Sequence, residues 1–248
     1  MIYTKSEKEI DLMREACKVV KDTLAFVGSK ICAGMSTKEV DELVERYIRA
    51  SGAYPSCLGY GGFPASACVS VNETVVHGIP THDRILKEGD IVSVDLCAYK
   101  NGFHGDACRT FKIGKVAPEH EKLIKVTEEC FFKGIEGLRA GTPLFDIGYR
   151  VQQHAEAHGY GVIRSYTGHG IGREMHEDPS VPNYGRKGTG MRLREGTVLC
   201  VEPMIALGDW RVKILDDEWT AVTVDGKYAA HYENTLVVRK DGVEILTL

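Results

Sequence analysis

The feature that most constrains this chain is a similarity between its two halves at a constant spacing of 107 residues. The segments LKEGDIVSVD and LREGTVLCVE, which begin at Leu86 and Leu193, match at this spacing, and each ends in a carboxylate. Glycines recur at the same spacing: Gly34 with Gly141, Gly52 with Gly159, and Gly89 with Gly196. We therefore predict two similar helix–helix–hairpin units, approximately residues 5–112 and 118–240, whose sheets face a shared cleft.

Local signals place two helices in each unit. Two serine–glutamate pairs have the spacing of a capping box: Ser6 with Glu9, and Ser36 with Glu39. In the second unit we predict helices over residues 118–138 and 142–159, with Pro143 in the first turn of the latter. Strand-like runs lie between and after the helices: IVSVDLCA, TVLCVEPMI, TAVTV and TLVV. These elements predict an α+β fold built around an antiparallel sheet.

The composition excludes several classes of protein. A net charge of −4 over 248 residues does not favour a nucleic-acid binder, and no run of about 18 apolar residues suggests a membrane span. The start, MIYTKSEKEI, lacks the apolar core of a secretory signal, so we expect a cytoplasmic protein. Eight scattered cysteines without a Cys-x-x-Cys pair indicate neither a zinc ribbon nor a disulfide framework. We predict a single catalytic domain over residues 1–248.

The segment IVSVDLCAYKNGFHGDACRTF predicts a hairpin, because its Asn-Gly pair at 101–102 favours a two-residue type I′ turn. Residue numbers that sum to 203 then face each other, so that Asp95 opposes Cys108 and Asp106 opposes Cys97. The two aspartates lie on one face, with β-carbons roughly 7–8 Å apart. They would repel each other unless cations lay between them. The alternative is a solvent-exposed acidic face, which the apolar flanking residues argue against.

Two glutamates fit the same description, since Glu202 in CVEPMI and Glu233 in HYENTLVV each place a charge in an otherwise apolar strand. Such a charge costs several kcal/mol unless it is paired or binds a metal. The negative charge of four carboxylates would balance the positive charge of two divalent cations, and a histidine would add a neutral nitrogen ligand. The mostly oxygen donor set suits manganese or iron(II) and tolerates cobalt or zinc. The predicted metal ligands are Asp95, Asp106, His169, Glu202 and Glu233.

The segment GHGIGREMHEDP, residues 168–179, carries two histidines seven positions apart, His169 and His176. Glycines at 168, 170 and 172 would let an irregular backbone take costly conformations and approach a ligand closely. Both imidazoles could then point to one place. The alternative is a glycine-rich surface loop with incidental histidines, which this segment alone does not exclude.

Taken together, these motifs resemble the type I methionine aminopeptidases, metallopeptidases with the pita-bread fold. The resemblance runs nearly from end to end and rests on VNETVVHGIP, GDIVSVDLCAYKNGFHGDACRTF, YTGHGIGREMHEDP, VEPMI and YENTLVV. It implies the pseudo-twofold fold, the five ligands and two divalent metal ions. It also implies His77, His176 and Glu202 as catalytic residues, with Glu202 serving as base and then acid and the histidines donating hydrogen bonds to the reacting amide.

The resemblance also implies a pocket for the methionine side chain, since soft sulfur and aromatic surfaces suit a thioether. Its residues would be Cys57, Tyr60, Phe63, Cys68, Met175 and Trp219, together with His77 and His176. Without the resemblance, these would be interpreted as ordinary core residues.

Some residues depart from the pattern or stand outside it. Cys97 and Cys108 occupy positions where hydroxyl residues are common, and thiols beside the metals would make activity sensitive to oxidants or excess soft metal. Asn234 stands where histidine is common. His231 lies two residues before Glu233, so both side chains would point to the same face of a strand. His231 is therefore a candidate for contact with the site. The remaining histidines are expected on the surface or hydrogen-bonded in the core: His82, His104, His120, His154 and His158.

Three other classes of protein share part of this pattern. An X-Pro peptidase would share the fold and ligands but resembles a longer chain with an additional N-terminal domain. A type II methionine aminopeptidase carries an insertion in its second half, for which the spacings of 26 residues from His176 to Glu202 and 31 from Glu202 to Glu233 leave no room. A binding protein that has lost catalysis is expected to lose ligands, and all are present.

The expected substrates are nascent polypeptides that begin with methionine, and we expect a monomer that associates transiently with the ribosome and not with a membrane. The resemblance implies that Gly, Ala, Ser, Thr, Cys, Pro and Val are accepted as the second residue of the substrate. This chain begins Met1-Ile2, and isoleucine exceeds valine by one methylene, so the protein is expected to retain its own Met1.

Overall fold

The helices occupy the four predicted regions. The computed structural model describes residues 3–248, so Met1 and Ile2, on which the expectation of a retained methionine depends, lie outside the described residues. The described part contains a short 3₁₀ turn at Tyr60–Gly62. Its α-helices are α1 (Glu7–Gly28), α2 (Thr37–Ala50), α3 (Pro118–Ile135) and α4 (Phe145–Ala157). Within residues 3–248 none of them is both long and apolar enough to span a membrane.

Local chemistry fixes several helix ends. Both predicted capping boxes form. At α2, the Glu39 amide donates to Ser36 Oγ at 3.2 Å, and the Ser36 amide donates to Glu39 Oε2 at 2.7 Å. Gly52 and Gly159 follow α2 and α4 with φ of +68° and +78°, a left-handed conformation that glycine adopts without a steric penalty.

Two predicted helix boundaries were wrong. Helix α3 ends at Ile135 rather than at 138, and Gly137 then takes a left-handed φ of +69°. Helix α4 begins at Phe145 rather than at 142, because the residues before it pair with residues 191–193. The Leu193 amide donates to the Thr142 carbonyl at 2.9 Å. This long-range pairing overrides the local helix-start signal of Pro143.

Fifteen strands are present in the described residues, and every strand pair is antiparallel. They are β1 (Tyr54–Pro55), β2 (Cys68–Val71), β3 (Thr74–Val76), β4 (Ile91–Lys100), β5 (Phe103–Lys112), β6 (Gly161–Val162), β7 (Gly168–Gly170), β8 (Glu177–Val181), β9 (Val198–Val201), β10 (Met204–Ala206), β11 (Val212–Ile214), β12 (Ala221–Thr223), β13 (Ala229–His231), β14 (Asn234–Val238) and β15 (Val243–Ile245).

The strands form one larger sheet in each half and two small sheets. In the first half, β4 pairs with β5 on one side and with β1 and β2 on the other. In the second half the order is β15–β14–β9–β7–β8. The three-stranded sheets have the orders β11–β12–β3 and β13–β10–β6. The α+β class predicted from the sequence is therefore confirmed.

Strand alternation places the acidic residues on the face of each sheet that points away from the helices. Val94 and Leu96 of β4 pack in one core cluster with residues of α1 and α2, so Asp95 between them points to the opposite face. Leu199 and Val201 of β9 pack in a second cluster with residues of α3 and α4. Helices thus cover the outer face of each sheet, and the inner faces are left to form the site.

The similarity between the halves appears in the hydrogen bonds. The Gly34 amide donates to the Leu86 carbonyl at 2.9 Å, and at the same spacing of 107 residues the Gly141 amide donates to the Leu193 carbonyl at 2.8 Å. The halves meet where Thr235 Oγ1 donates to the Asp106 carbonyl at 2.8 Å. One residue of each half therefore fixes the relative position of β5 and β14 beside the site.

Candidate active site

The hairpin of β4 and β5 places two aspartates in a cavity of about 280 Å³. Its turn residues Asn101 and Gly102 have φ of +53° and +87°, as a type I′ turn requires. Asp95 pairs with Cys108, and Asp106 pairs with Cys97, as the sum of 203 predicts. Both aspartates line the cavity. The predicted register is therefore confirmed, and it follows from the turn alone.

The second half supplies an imidazole and two glutamates to the same cavity. His169 lies in β7, Glu202 follows β9 and Glu233 precedes β14. His169 Nε2 is 3.7 Å from Glu202 Oε1 and 3.9 Å from Asp106 Oδ2. The structure thus brings the five residues predicted as metal ligands together, and all five line the cavity.

Glu202 sits at a break in a run predicted as one strand. The segment TVLCVEPMI divides into β9 and β10, and the break falls at Glu202 and Pro203. Proline has no amide hydrogen to donate to a neighbouring strand, so pairing stops there. Strand β9 pairs with β14 before the break, and β10 pairs with β13 after it. The change of partner leaves the Glu202 side chain at the junction of two sheets.

The four carboxylates lie so close together in a buried place that their ionisation is disfavoured. Burial raises the pKa of Asp95 to about 6, with Glu202 adding repulsion. Burial also raises the pKa of Asp106, Glu202 and Glu233 well above the usual range. Among the described residues, Asp106 Oδ1 and Glu233 Oε1 are buried and have no hydrogen-bond partner. Cations between these oxygens would satisfy them and offset the repulsion.

His169 is prepared to serve as a neutral nitrogen ligand. Its Nδ1–H donates to the Gly170 carbonyl at 2.9 Å, which leaves the Nε2 lone pair directed toward the carboxylates. Burial lowers the pKa of His169 to about 3, so the ring is uncharged at neutral pH. A set of four carboxylates and one imidazole fits hard and borderline divalent metal ions.

The glycines of GHGIGREMHEDP serve close packing rather than unusual backbone conformations, which corrects the prediction of an irregular segment. Gly168 and Gly170 belong to β7, and neither has a positive φ. A β-carbon on Gly168 would lie 2.3 Å from the Cys200 carbonyl oxygen, and one on Gly170 would lie 2.1 Å from that of Asp178. Glycine is required because the neighbouring strands approach so closely.

His77 and His176 line the cavity from opposite halves. His77 has a left-handed φ of +58°, an uncommon conformation for a residue with a side chain, and its ring meets the Tyr166 ring edge-on at 5.2 Å. Burial lowers its pKa to about 4. His176 Nδ1 is hydrogen-bonded to the Tyr60 hydroxyl at 2.8 Å, and its ring centroid is 4.3 Å from that of His169.

A second cavity of about 150 Å³ adjoins the first, with which it shares His77, His176, Asp95 and Asp106. Phe63 and Trp219 meet edge-on in its wall with centroids 5.2 Å apart. The lining includes every residue predicted for the methionine pocket: Cys57, Tyr60, Phe63, Cys68, Met175 and Trp219. The structure therefore assembles one sulfur- and aromatic-lined cavity from residues far apart in the chain.

Two further residues lie close to the predicted ligands. The sulfur of Cys200 and one ligand atom each of Asp106, His169 and Glu233 lie within 4.8 Å of one another, a proximity that the sequence analysis missed. The available signal was that Cys200 lies two residues before Glu202 in the strand-like run TVLCVEPMI. His231 is buried, and its Nε2 is 3.5 Å from Glu202 Oε2, so this histidine contacts the site.

The residues that depart from the family pattern are placed beside the site. Cys97 and Cys108 are fully buried and are not among the residues that line the cavity. Burial raises the pKa of both thiols well above the usual range, so they are protonated at neutral pH. Their predicted effect on oxidant and metal sensitivity stays a prediction. Asn234 Oδ1 accepts a hydrogen bond from Arg109 Nη2 at 2.6 Å.

Two similar halves around a buried set of four carboxylates and one imidazole define a metallohydrolase. The sequence matches the profile of metallopeptidase family M24 over residues 11–240. It is 53% identical over 248 residues to methionine aminopeptidase of Clostridium acetobutylicum, covering 100% of this chain and 99% of the relative. It is 46% identical to methionine aminopeptidase 1 of Bacillus subtilis, again covering 100% and 99%.

Comparison with solved structures leads to the same family as the sequence relatives. Methionine aminopeptidase from Thermotoga maritima superposes with a TM-score of 0.98 at 45% identity, over 100% of this chain and 99% of that one. Prolidase from Pyrococcus furiosus, at 22% identity, a TM-score of 0.78 and coverage of 99% and 65%, shares the fold alone. The chain belongs to metallopeptidase family M24 and, within it, to the methionine aminopeptidases. The predicted family and pita-bread fold are confirmed.

Proposed function

We propose that this protein hydrolyses the first peptide bond of polypeptides that begin with methionine and continue with a small residue. The observation that carries the proposal is the junction of two cavities, one lined by the carboxylate and imidazole cluster and one by sulfur and aromatic side chains. The first suits metal-assisted hydrolysis, and the second suits a thioether side chain. They share His77 and His176, which would border the scissile bond.

Asp95, Asp106, His169, Glu202 and Glu233 would hold two divalent metal ions, of cobalt, manganese, iron or zinc. When bound, such ions polarise the scissile carbonyl and acidify the attacking water. The buried oxygens without partners and the neutral Nε2 of His169 support this assignment. The four carboxylates would balance the charge of two such ions.

The protein's own residues would manage the protons and the developing charges. Glu202 would take the proton of the attacking water and pass it to the leaving amine. The Nε2 atom of the buried His231 lies 3.5 Å from that carboxylate. His176 uses Nδ1 for Tyr60, which leaves Nε2 to face the substrate. His77 is neutral at pH 7, because its pKa is about 4, and would donate one N–H to the reacting amide.

The substrates would be nascent polypeptides. The protein would act on them as a cytoplasmic monomer that associates transiently with the ribosome. Residues 1–248 would act as a single catalytic domain with the internal repeat described above. A single family profile that matches residues 11–240 supports this organisation.

Metal dependence gives the first test. Chelator-stripped protein is expected to lose activity on the peptide Met-Ala-Ser, because no side chain in the cavity can replace the Lewis acid. Addition of one divalent ion at a time, from cobalt, manganese, iron(II) and zinc, is expected to restore turnover to different extents and to rank the metals. Full activity after stripping, with metal content verified by elemental analysis, would contradict the proposed mechanism.

The second residue of the substrate gives another test. We expect kcat/KM to be at least about a hundredfold higher for Met-Ala-Ser than for Met-Ile-Ser. A packed site excludes bulk sterically, and the β-branch of isoleucine cannot fold away. The peptide Leu-Ala-Ser controls for the first residue, and Ala-Pro-Ser tests for X-Pro cleavage. Equal rates for the alanine and isoleucine peptides would reopen the substrate assignment.

A further inference from the structure

Helices α3 and α4 bring three metal-ligating side chains together outside the catalytic cavity. Glu129 belongs to α3, His154 lies in the last turn of α4, and His158 directly follows α4. His154 Nε2 is 3.0 Å from Glu129 Oε2, and one ligand atom of each of the three residues lies within 4.8 Å of the other two. The two imidazole centroids are 4.7 Å apart.

The hydrogen bonds of the histidines suit metal binding. His158 Nδ1–H donates to the His154 carbonyl at 2.9 Å, so the proton is held on Nδ1 and the Nε2 lone pair is free to bind a cation. Metal-ligating histidines usually carry such a second bond to a carbonyl or carboxylate. The ring centroids of Tyr160 and His158 are 6.4 Å apart, with an angle of 25° between the ring planes. At His154, a cation would replace the proton between Nε2 and Glu129.

Charge and exposure also suit a cation. The Glu129 side chain is 38% exposed and that of His154 is 19% exposed, so an ion can enter and water can complete its coordination. A hydrogen bond from His154 lowers the pKa of the Glu129 carboxyl, which is therefore ionised at neutral pH. Lys125 Nζ is 3.8 Å from Oε1 of Glu129, whereas His154 faces Oε2. The second oxygen thus remains directed at the histidines.

We propose that Glu129, His154 and His158 form a second divalent-cation site, separate from the catalytic centre, that joins α3 to α4. Two imidazoles and one carboxylate are the donors that zinc takes in three-ligand sites, at distances of about 2.0–2.2 Å. Small rotations of these partly exposed side chains would bring the ligand atoms to that distance. The catalytic cluster is richer in oxygen, so the two sites differ in metal preference.

Zinc bound at this site would stabilise the folded protein. A cation that binds only the folded protein stabilises it, and the effect grows with the free concentration of the ion. Because Glu129 comes from α3 and the two histidines come from the C-terminal end of α4, their convergence requires α3 and α4 to be packed against each other. Zinc above the requirement of the catalytic centre is therefore expected to fill this site and to raise the unfolding temperature.

The test compares the wild-type protein with His158→Gln and Glu129→Gln, using Zn²⁺ alone as the probe. His120→Gln is the matched control, because His120 stacks on Tyr228 at 4.0 Å at the other end of α3. Equilibrium dialysis with elemental analysis counts bound zinc, and thermal unfolding follows stability. Unfolding in the presence of chelator shows whether each variant folds as the wild type does.

We expect the wild-type protein and His120→Gln to bind one zinc ion more per chain than His158→Gln. Glu129→Gln should lower the affinity for that ion at least about tenfold, since each 1.4 kcal/mol of lost binding is tenfold. The zinc-dependent rise in unfolding temperature should shrink in both cluster variants, while turnover of Met-Ala-Ser is unchanged. Equal zinc counts in the wild-type protein and His158→Gln, or an equal loss in His120→Gln, would overturn the proposal.

Discussion

Replacement of Glu202 by glutamine is expected to lower the turnover of Met-Ala-Ser by at least about a hundredfold while the fold stays intact. Glutamine has nearly the same shape but cannot accept the proton of the attacking water. The substitution also replaces one of four clustered carboxylates, so circular dichroism and thermal unfolding should show a folded protein of similar or greater stability without metal. The measurement is steady-state kinetics at saturating metal.

Metal analysis separates two causes of the loss. If Glu202→Gln retains its metal content and loses turnover, the proton-transfer role accounts for the effect. If metal is lost, raising the metal concentration should restore occupancy but not the rate. Glu195→Gln serves as control, because Glu195 is exposed on the second half and should leave turnover unchanged. Near-normal turnover of the Glu202 variant would rule out the proposed proton transfer.

Replacement of His77 by alanine is expected to lower kcat by about 10²–10³-fold, the usual cost of losing one donor to a developing charge. The effect should fall on kcat more than on KM, because the hydrogen bond would strengthen as the reaction proceeds. Peptide turnover and metal content are the measurements. His82→Ala is the control, since His82 is exposed and lies only five residues away.

The backbone at His77 offers a second variant. Its φ of +58° is better tolerated by asparagine than by most residues, and the asparagine amide can still donate a hydrogen bond. His77→Asn is therefore expected to recover part of the activity that His77→Ala loses. If both variants turned over Met-Ala-Ser at the wild-type rate, His77 would have no part in the reaction.

Features that depend on local geometry could be predicted from the amino-acid sequence. The Asn-Gly turn and the two-residue alternation of a strand set the pairing of Asp95 with Cys108 and placed Asp106 on the same face. Serine–glutamate spacing set the start of α1 and α2. The repeat at 107 residues predicted that a carboxylate would stand at equivalent places in both halves, as Asp95 and Glu202 do. Each inference uses residues a few positions apart or a simple internal comparison.

Contacts between residues far apart in the chain could not be predicted in this way. In the tertiary structure the predicted strand is interrupted at Glu202, and α4 begins at Phe145 rather than at 142. The tertiary structure also places His231 near Glu202 and Cys200 near His169. It also brought His154 and His158 to Glu129. Such contacts depend on how whole sheets and helices pack, and that packing is set by the sum of many weak burial terms rather than by any local pattern. The sequence thus predicted five residues that the fold brings into one cavity and indicated His231 beside them, but it gave no indication of Cys200.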